Sequence, residues 1–256
     1  MTRRSIVTLT WLAVSMSTLA GAQTVQDRAA ARDVVKKRGD AVVMVLATIK
    51  IRASIGGTEQ TVDQTAQANA TILDPTGLTV LSLSSLQPDD VVTRNISRSV
   101  RPGTKVEVTS DPSEIRMHLA DGRELPAKLV LRDEDLDLAF LRPTEPLAAP
   151  LACVDVPSAT PSLMDLLMIV QRTSETTGWA ASAAFGTVQL IIDKPQTYYQ
   201  VPLLTAGGGN GLGSPLFDTA GMFVGVVLMR STGTKGSGAV GVLPADAIRD
   251  VARQAK

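Results

Sequence analysis

One histidine, one cysteine, an acidic turn and a glycine-rich loop are the places where this chain of 256 residues could do chemistry. The histidine is His118, in a stretch where Ile115, Met117 and Leu119 alternate with Arg116 and His118. On a strand, His118 shares a face with Arg116 and is turned away from the apolar side, which predicts an exposed strand histidine. Cys153 has no second cysteine to pair with, so stability must come from packing and not from disulfides. It reads as a small buried apolar residue. Asp133 to Asp137 has the acid density of a calcium loop, but a solvated turn explains it more simply. Gly207 to Ser214 lacks the G-x-G-x-x-G spacing, the Lys-Ser/Thr ending and the following helix of phosphate-binding loops. Its glycines suit unusual backbone angles in a loop that faces a ligand. No His, Cys and carboxylate group has metal-ligand spacing, so neither a metal nor any other cofactor is expected.

Composition narrows the classes of function. Formal net charge is +0 and aromatics are 3% of residues. A field that draws in nucleic acid or acidic lipid is therefore not expected, nor are stacking surfaces for bases. The start of the chain reads as a secretory leader: Arg3 and Arg4, an apolar stretch from Ile6 to Val14, then Ala20-Gly21-Ala22. Cleavage is expected after Ala22, which places the mature chain in the periplasm or outside the cell. No membrane span is expected once the leader is removed.

The elements that must position any site are mostly short strands. Gln26 to Lys37 predicts a helix, with Asp27 as its N-cap and Gly39 at its end. Ala41 to Ala53 is a strand ending at the turn Gly56-Gly57. Ala68 to Leu73 and Leu78 to Leu83 form a hairpin around Asp74-Pro75-Thr76-Gly77. Gln87 to Ser113 carries no clear period. Ile115 to Leu119 and Glu124 to Arg132 form a second hairpin, and Leu138 to Leu141 is a further strand. Pro143 to Pro161 is a proline-rich link between two halves. Leu163 to Val170, Ala183 to Ile192, Thr197 to Leu204, Pro215 to Phe217, Met222 to Met229 and Gly238 to Leu243 are strands of the second half. Pro244 to Gln254 is a closing helix. Many short strands with helices only at the ends predict an all-β architecture.

Four stretches, in this order, give a resemblance. Ala70-Thr-Ile-Leu-Asp-Pro-Thr-Gly-Leu-Thr-Val-Leu81 comes first, and Leu119-Ala-Asp-Gly-Arg-Glu-Leu-Pro-Ala-Lys-Leu-Val130 with Asp133 to Leu141 second. Gly209-Asn-Gly-Leu-Gly-Ser-Pro-Leu216 with Asp218 to Val226 is third, and Gly238-Ala-Val-Gly-Val-Leu-Pro244 with its helix is fourth. Together they resemble the protease domain of HtrA/DegP-type trypsin-like serine proteases, without the PDZ modules of that family. The resemblance implies two six-stranded antiparallel β-barrels of the chymotrypsin-like fold, with short N- and C-terminal helices. The expected division is residues 1–22 leader, 23–40 N-terminal helical segment, 41–145 first barrel, and 146–256 second barrel with the C-terminal helix.

The family's chemistry needs a hydroxyl nucleophile, an imidazole that takes its proton, and a carboxylate that orients the imidazole. The resemblance puts the imidazole position at Ser84 and the carboxylate position at Asp137. The nucleophile position falls at Leu212 when counted back from Pro215-Leu216, and at Asn210 when counted forward from Tyr199-Gln200. Removing either the nucleophile or its base costs about a millionfold in turnover, on the order of 8 kcal/mol. The expectation is a degenerate domain that acts by binding a peptide or protein, with Gly209, Asn210, Gly211, Leu212 and Gly213 as the peptide-binding loop. Strand addition to the cleft needs backbone groups and no triad. As in the family, a trimer is a conceivable assembly. The rival expectations are a working peptidase that uses Ser214 with Lys194 or Lys235 as base, and a regulatory or structural partner of an active homologue.

Overall fold

Runs of Val, Ile, Ala and Thr, broken by Gly and Asp turns, become strands here because few segments have the helical period. A computed structural model describes residues 25–154, 158–202, 211–231 and 238–255. The leader expected over residues 1–22 lies outside these, as do Gly209, Asn210 and Lys235.

Helix α1 (Val25–Arg38) leads into β1 (Val42–Ile55), β2 (Thr58–Ile72) and β3 (Thr79–Ser82). Helix α2 (Asp89–Ser99) follows, then β4 (Val106–His118), β5 (Glu124–Asp133) and β6 (Leu138–Pro143). These six strands close into an antiparallel barrel in the order β1-β2-β3-β6-β5-β4. Its interior is filled by Val43, Val45, Ala70, Ile72, Leu81, Met117 and their neighbours. Cys153 is half-buried against this core. The helix α2 fills part of the stretch that has no clear period in the sequence. Asp89 and Asp90 sit in its first turn, where they complement the helix dipole.

The second half contains β7 (Leu166–Arg172), β8 (Ala181–Thr187), β9 (Leu190–Ile192), β10 (Tyr198–Gln200), β11 (Pro215–Phe217), β12 (Phe223–Ser231), β13 (Gly238–Pro244) and the closing helix α3 (Ala245–Ala252). They form an antiparallel half-barrel in the order β8-β7-β11-β12-β13-β10-β9. The strand count is seven because one segment bends at Val188-Gln189: its first arm, β8, pairs with β7 and its second arm, β9, pairs with β10. The bent segment brings the two ends of the sheet to the same place, which gives the barrel-like shape.

The two barrels share one core. Val42, Val80, Leu138 and Phe140 of the first pack in the same cluster as Met168, Phe217, Val226 and Leu228 of the second. A polar seam runs beside it. The Arg172 guanidinium donates from Nε to the Val42 carbonyl at 2.9 Å and from Nη2 to the Gly39 carbonyl at 2.7 Å. The Arg172 amide donates to Asn69 Oδ1 at 2.6 Å. Thr71 Oγ1 donates to the Gly213 carbonyl at 3.0 Å.

Gly213 is held at φ +83°, and a Cβ there would stand 1.8 Å from the Asn69 carbonyl oxygen. Both facts require glycine. We expect Gly213→Ala to destabilise the fold by about 3 kcal/mol or more, because the clash is with backbone and adds to the cost of the left-handed angle. Urea unfolding of variant and parent measures this, and an unchanged midpoint would refute it.

Candidate functional site

Asp137 sits in the turn between β5 and β6, at φ +59°, and is 5% exposed. Aspartate is among the few residues other than glycine that adopt this left-handed angle with any frequency. Its main chain and side chain both hold the segment after β3. The Asp137 carbonyl accepts from the Leu83 amide at 2.9 Å. Oδ1 accepts from the Ser84 amide at 2.7 Å and from Ser84 Oγ at 2.7 Å. Oδ2 accepts from Ser82 Oγ, and from the Met229 amide on β12 at 2.8 Å. Burial pushes the carboxyl above the ordinary aspartate range, and the hydrogen bonds from Ser82, Ser84 and Met229 pull against that shift.

Ser84 is half-buried and, with Asp137, lines a cleft of about 240 Å³ whose rim includes Leu83, Gln87, Asp89 and Glu134. Its hydroxyl proton is directed at Asp137. A hydroxyl has no basicity near neutral pH, so it cannot take a proton from a nucleophile as an imidazole would. His118 lies elsewhere. It pairs with Met44 and Glu124 on the neighbouring strands, and its ring stacks on Trp179 at 4.7 Å between centroids. The exposed face expected for it is not what the structure has: the histidine is half-buried, because Trp179 of the second barrel covers it.

The loop before β11 is described from Gly211 onward. Leu212 is 8% exposed and belongs to the apolar cluster of the second sheet, with Leu216, Val224 and Val227. Ser214 is fully buried, and its Oγ has no hydrogen-bond partner among the described residues. Its amide donates to the Gly211 carbonyl and its carbonyl accepts from the Val227 amide, each at 3.0 Å. Gly211 and Gly213 both take positive φ, 70° and 83°. Of the positions singled out in the sequence, Ser84 and Asp137 are brought together. Leu212 and Ser214 are instead packed into the second sheet.

Two donors to Asp137 escape sequence reasoning. Ser82 is set by the β3–β6 register, where it pairs with Leu138, the residue after Asp137. A known barrel order would have revealed it. Met229 contributes only its backbone, which no side-chain type signals.

A β-barrel and a half-barrel meeting at a buried aspartate define the class of protein. The chain belongs to the trypsin-like peptidase domain family: the family model matches residues 88–226, more than half of its length. Among solved structures it is similar to the HtrA-type protease AlgW in complex with a tripeptide, with a TM-score of 0.55 and 17% identity. The alignment covers 87% of this chain and 62% of that one, so the present chain spans less than two thirds of its relative's length. No curated protein matches the sequence.

Replacing Asp137 should show how much rests on it. Asp137→Ala leaves the Ser84 and Met229 amides without acceptors and should cost about 2–5 kcal/mol. The pH dependence has a definite sign. A raised aspartate pKa means that the folded state holds the proton more tightly than the unfolded chain. This group's contribution is therefore complete below the unfolded pKa of about 3.9 and is lost as pH rises through the folded value. The stability difference between parent and Asp137→Asn should fall as pH rises across that window, read by denaturant titration at each pH. A difference that grows instead would show the carboxyl to be shifted downward.

Proposed function

We propose that this protein is an exported trypsin-like domain without peptidase activity, a pseudoprotease that works in the cell envelope by binding a peptide or protein. One observation carries the reading: the carboxylate that would orient an imidazole is engaged by Ser84, through its hydroxyl and its amide, at the position where the resemblance calls for histidine. The chain has one histidine, and its ring is stacked on Trp179. Leu212 offers no nucleophilic atom at the position counted back from Pro215. The seam and the shared core hold the two barrels together, and the cleft beside Ser84 and Asp137 stays open on the first barrel as a place for a peptide side chain. The leader-like start of the sequence supports export.

The rival reading, hydrolysis through Ser214, needs a base within about 3.2 Å and a path for substrate. A fully buried Ser214 whose Oγ meets no partner among the described residues weighs against it. The test is to incubate the purified protein with unfolded casein and with a fluorophosphonate probe. The expected result is no cleavage and no labelling, together with saturable binding of casein. Labelling that disappears in Ser214→Ala would establish the rival instead. Removing a buried hydroxyl that finds no hydrogen-bond partner among the described residues should also leave stability unchanged or slightly higher, which thermal unfolding of the same variant measures.

A further inference from the structure

The β1–β2 hairpin runs far beyond the barrel. Its ladder continues unbroken from Val42↔Thr71 to Ile55↔Thr58, while the β2–β3 ladder covers only Thr71 and Ile72. Among the described residues, no strand pairs with the outer edge of β2 below Thr71. The turn fixes which backbone groups face that edge. Gly56 and Gly57 have φ of 56° and 86°, a two-residue type I′ turn, which makes Ile55 and Thr58 a hydrogen-bonded pair. Thr58, Gln60, Val62 and Gln64 thus direct their amides and carbonyls to β1. Glu59, Thr61, Asp63 and Thr65 direct theirs outward.

Natural sheets blunt such edges with proline, lysine, bulges or a covering element. The opposite edge of this extension, on β4, is treated in that way. It contains Pro112, it meets β1 through a register shift at Leu46/Thr48, and α2 packs against it. The residues of β2 include no proline, lysine or arginine, and its pairing with β1 has no bulge.

We propose that this edge, from Glu59 to Thr65, is a docking strand for an extended basic segment of a partner protein, added antiparallel to β2. Charge names the partner. The outer face of the extension carries Glu59 and Asp63 on β2 and Glu107 and Asp111 on β4, against Lys50 and Arg52 on β1, all exposed. Glu107 is already paired with Lys105, so it is the two acids of the edge strand itself, Glu59 and Asp63, that meet an added strand. An added strand would place its own outer side chains opposite Glu59 and Asp63, so Lys or Arg four residues apart fits. On the other face Val62 is 60% exposed, which favours an apolar residue opposite it. A second copy of this chain fits poorly, since two β2 edges would bring acidic rows together. The site is separate from the cleft beside Asp137 and does not depend on the reading of that cleft.

The test uses the full chain and a fluorescent octapeptide that alternates Thr or Lys with Val, with Lys at its third and seventh positions. Anisotropy should show saturable binding that weakens with added salt, and a Glu-for-Lys version should bind at least tenfold more weakly. Thr61→Pro removes one outward amide and no bond to β1, and Asp63→Lys reverses a charge. Each should weaken binding tenfold or more while the circular dichroism spectrum and the binding of casein stay unchanged. Equal affinity for the Glu version, or full binding by a folded Thr61→Pro or Asp63→Lys protein, would overturn the proposal. So would self-association that Thr61→Pro abolishes in a chain that does not bind the peptide.

Discussion

Two barrels can share a face only if the polar groups caught between them find partners, and the Asp137 carboxylate sits where that demand is greatest. It is buried, yet it accepts hydrogen bonds from Ser82 at the end of β3, from Ser84 just beyond it, and from the Met229 amide of the other barrel. A carboxylate out of water is costly unless its lone pairs are filled. Those donors are what make the burial tolerable. The same bonds fix the Leu83–Ser85 turn against β12, and so set one wall of the cleft. In a peptidase such an aspartate would orient an imidazole. Here Ser84 fills that bonding capacity, and the carboxylate ties the first barrel to the Met229 amide of the second.

The remaining contacts between the barrels follow the same logic of satisfied backbone. Arg172 covers two carbonyls at the start of the first barrel, and Asn69 exchanges bonds with the Arg172 main chain. Gly213 lies so close to the Asn69 carbonyl that no side chain fits. Gly213 thus serves close approach at the far end of the loop. Ser214 behind them is sealed by the pairing of its backbone with Gly211 and Val227. With Gly213 drawn against β2 and Ser214 fully buried beside it, the Ser214 hydroxyl faces the interior and not the solvent.

Much of this was legible in the sequence. The succession of strands along the chain, the Asp-Gly and Gly-Gly turns and the closing helix follow from local motifs, and the resemblance marked Ser84 and Asp137 as positions of one site without foretelling the bond between them. What escaped did so for physical reasons. Residues Thr58 to Gln67 are exposed on both faces and polar apart from Val62 and Ala66, so the alternation that marks a strand is missing. The helix α2 is short, buries no residue and has only Val91, Val92 and Ile96 as apolar side chains, too few to stand out in a polar stretch. The bend at Val188-Gln189 splits one expected strand into β8 and β9. His118 alternates correctly, but a single-strand pattern cannot foresee Trp179 arriving from the second barrel.

The length of the β1–β2 hairpin needs its own account. The barrel uses only the part of β1 that reaches β3 and β6 through β2, yet β1 has 14 residues while β3 has 4. At roughly 3.3 Å per residue, a projection of this kind extends well past the barrel rim. Projected sheet is stable only when one face is covered. In β1, Ile49, Ile51 and Ala53 are buried although they lie outside the barrel core, and β4 supplies Val108 and Ser110 on the same face. The strand that α2 packs against is β4. Helix α2 thus borders the extension on its β4 side, where the Gln87 side-chain amide just before it also bonds the Ser110 carbonyl. The polar row on β2, which needs no cover, is the part left open.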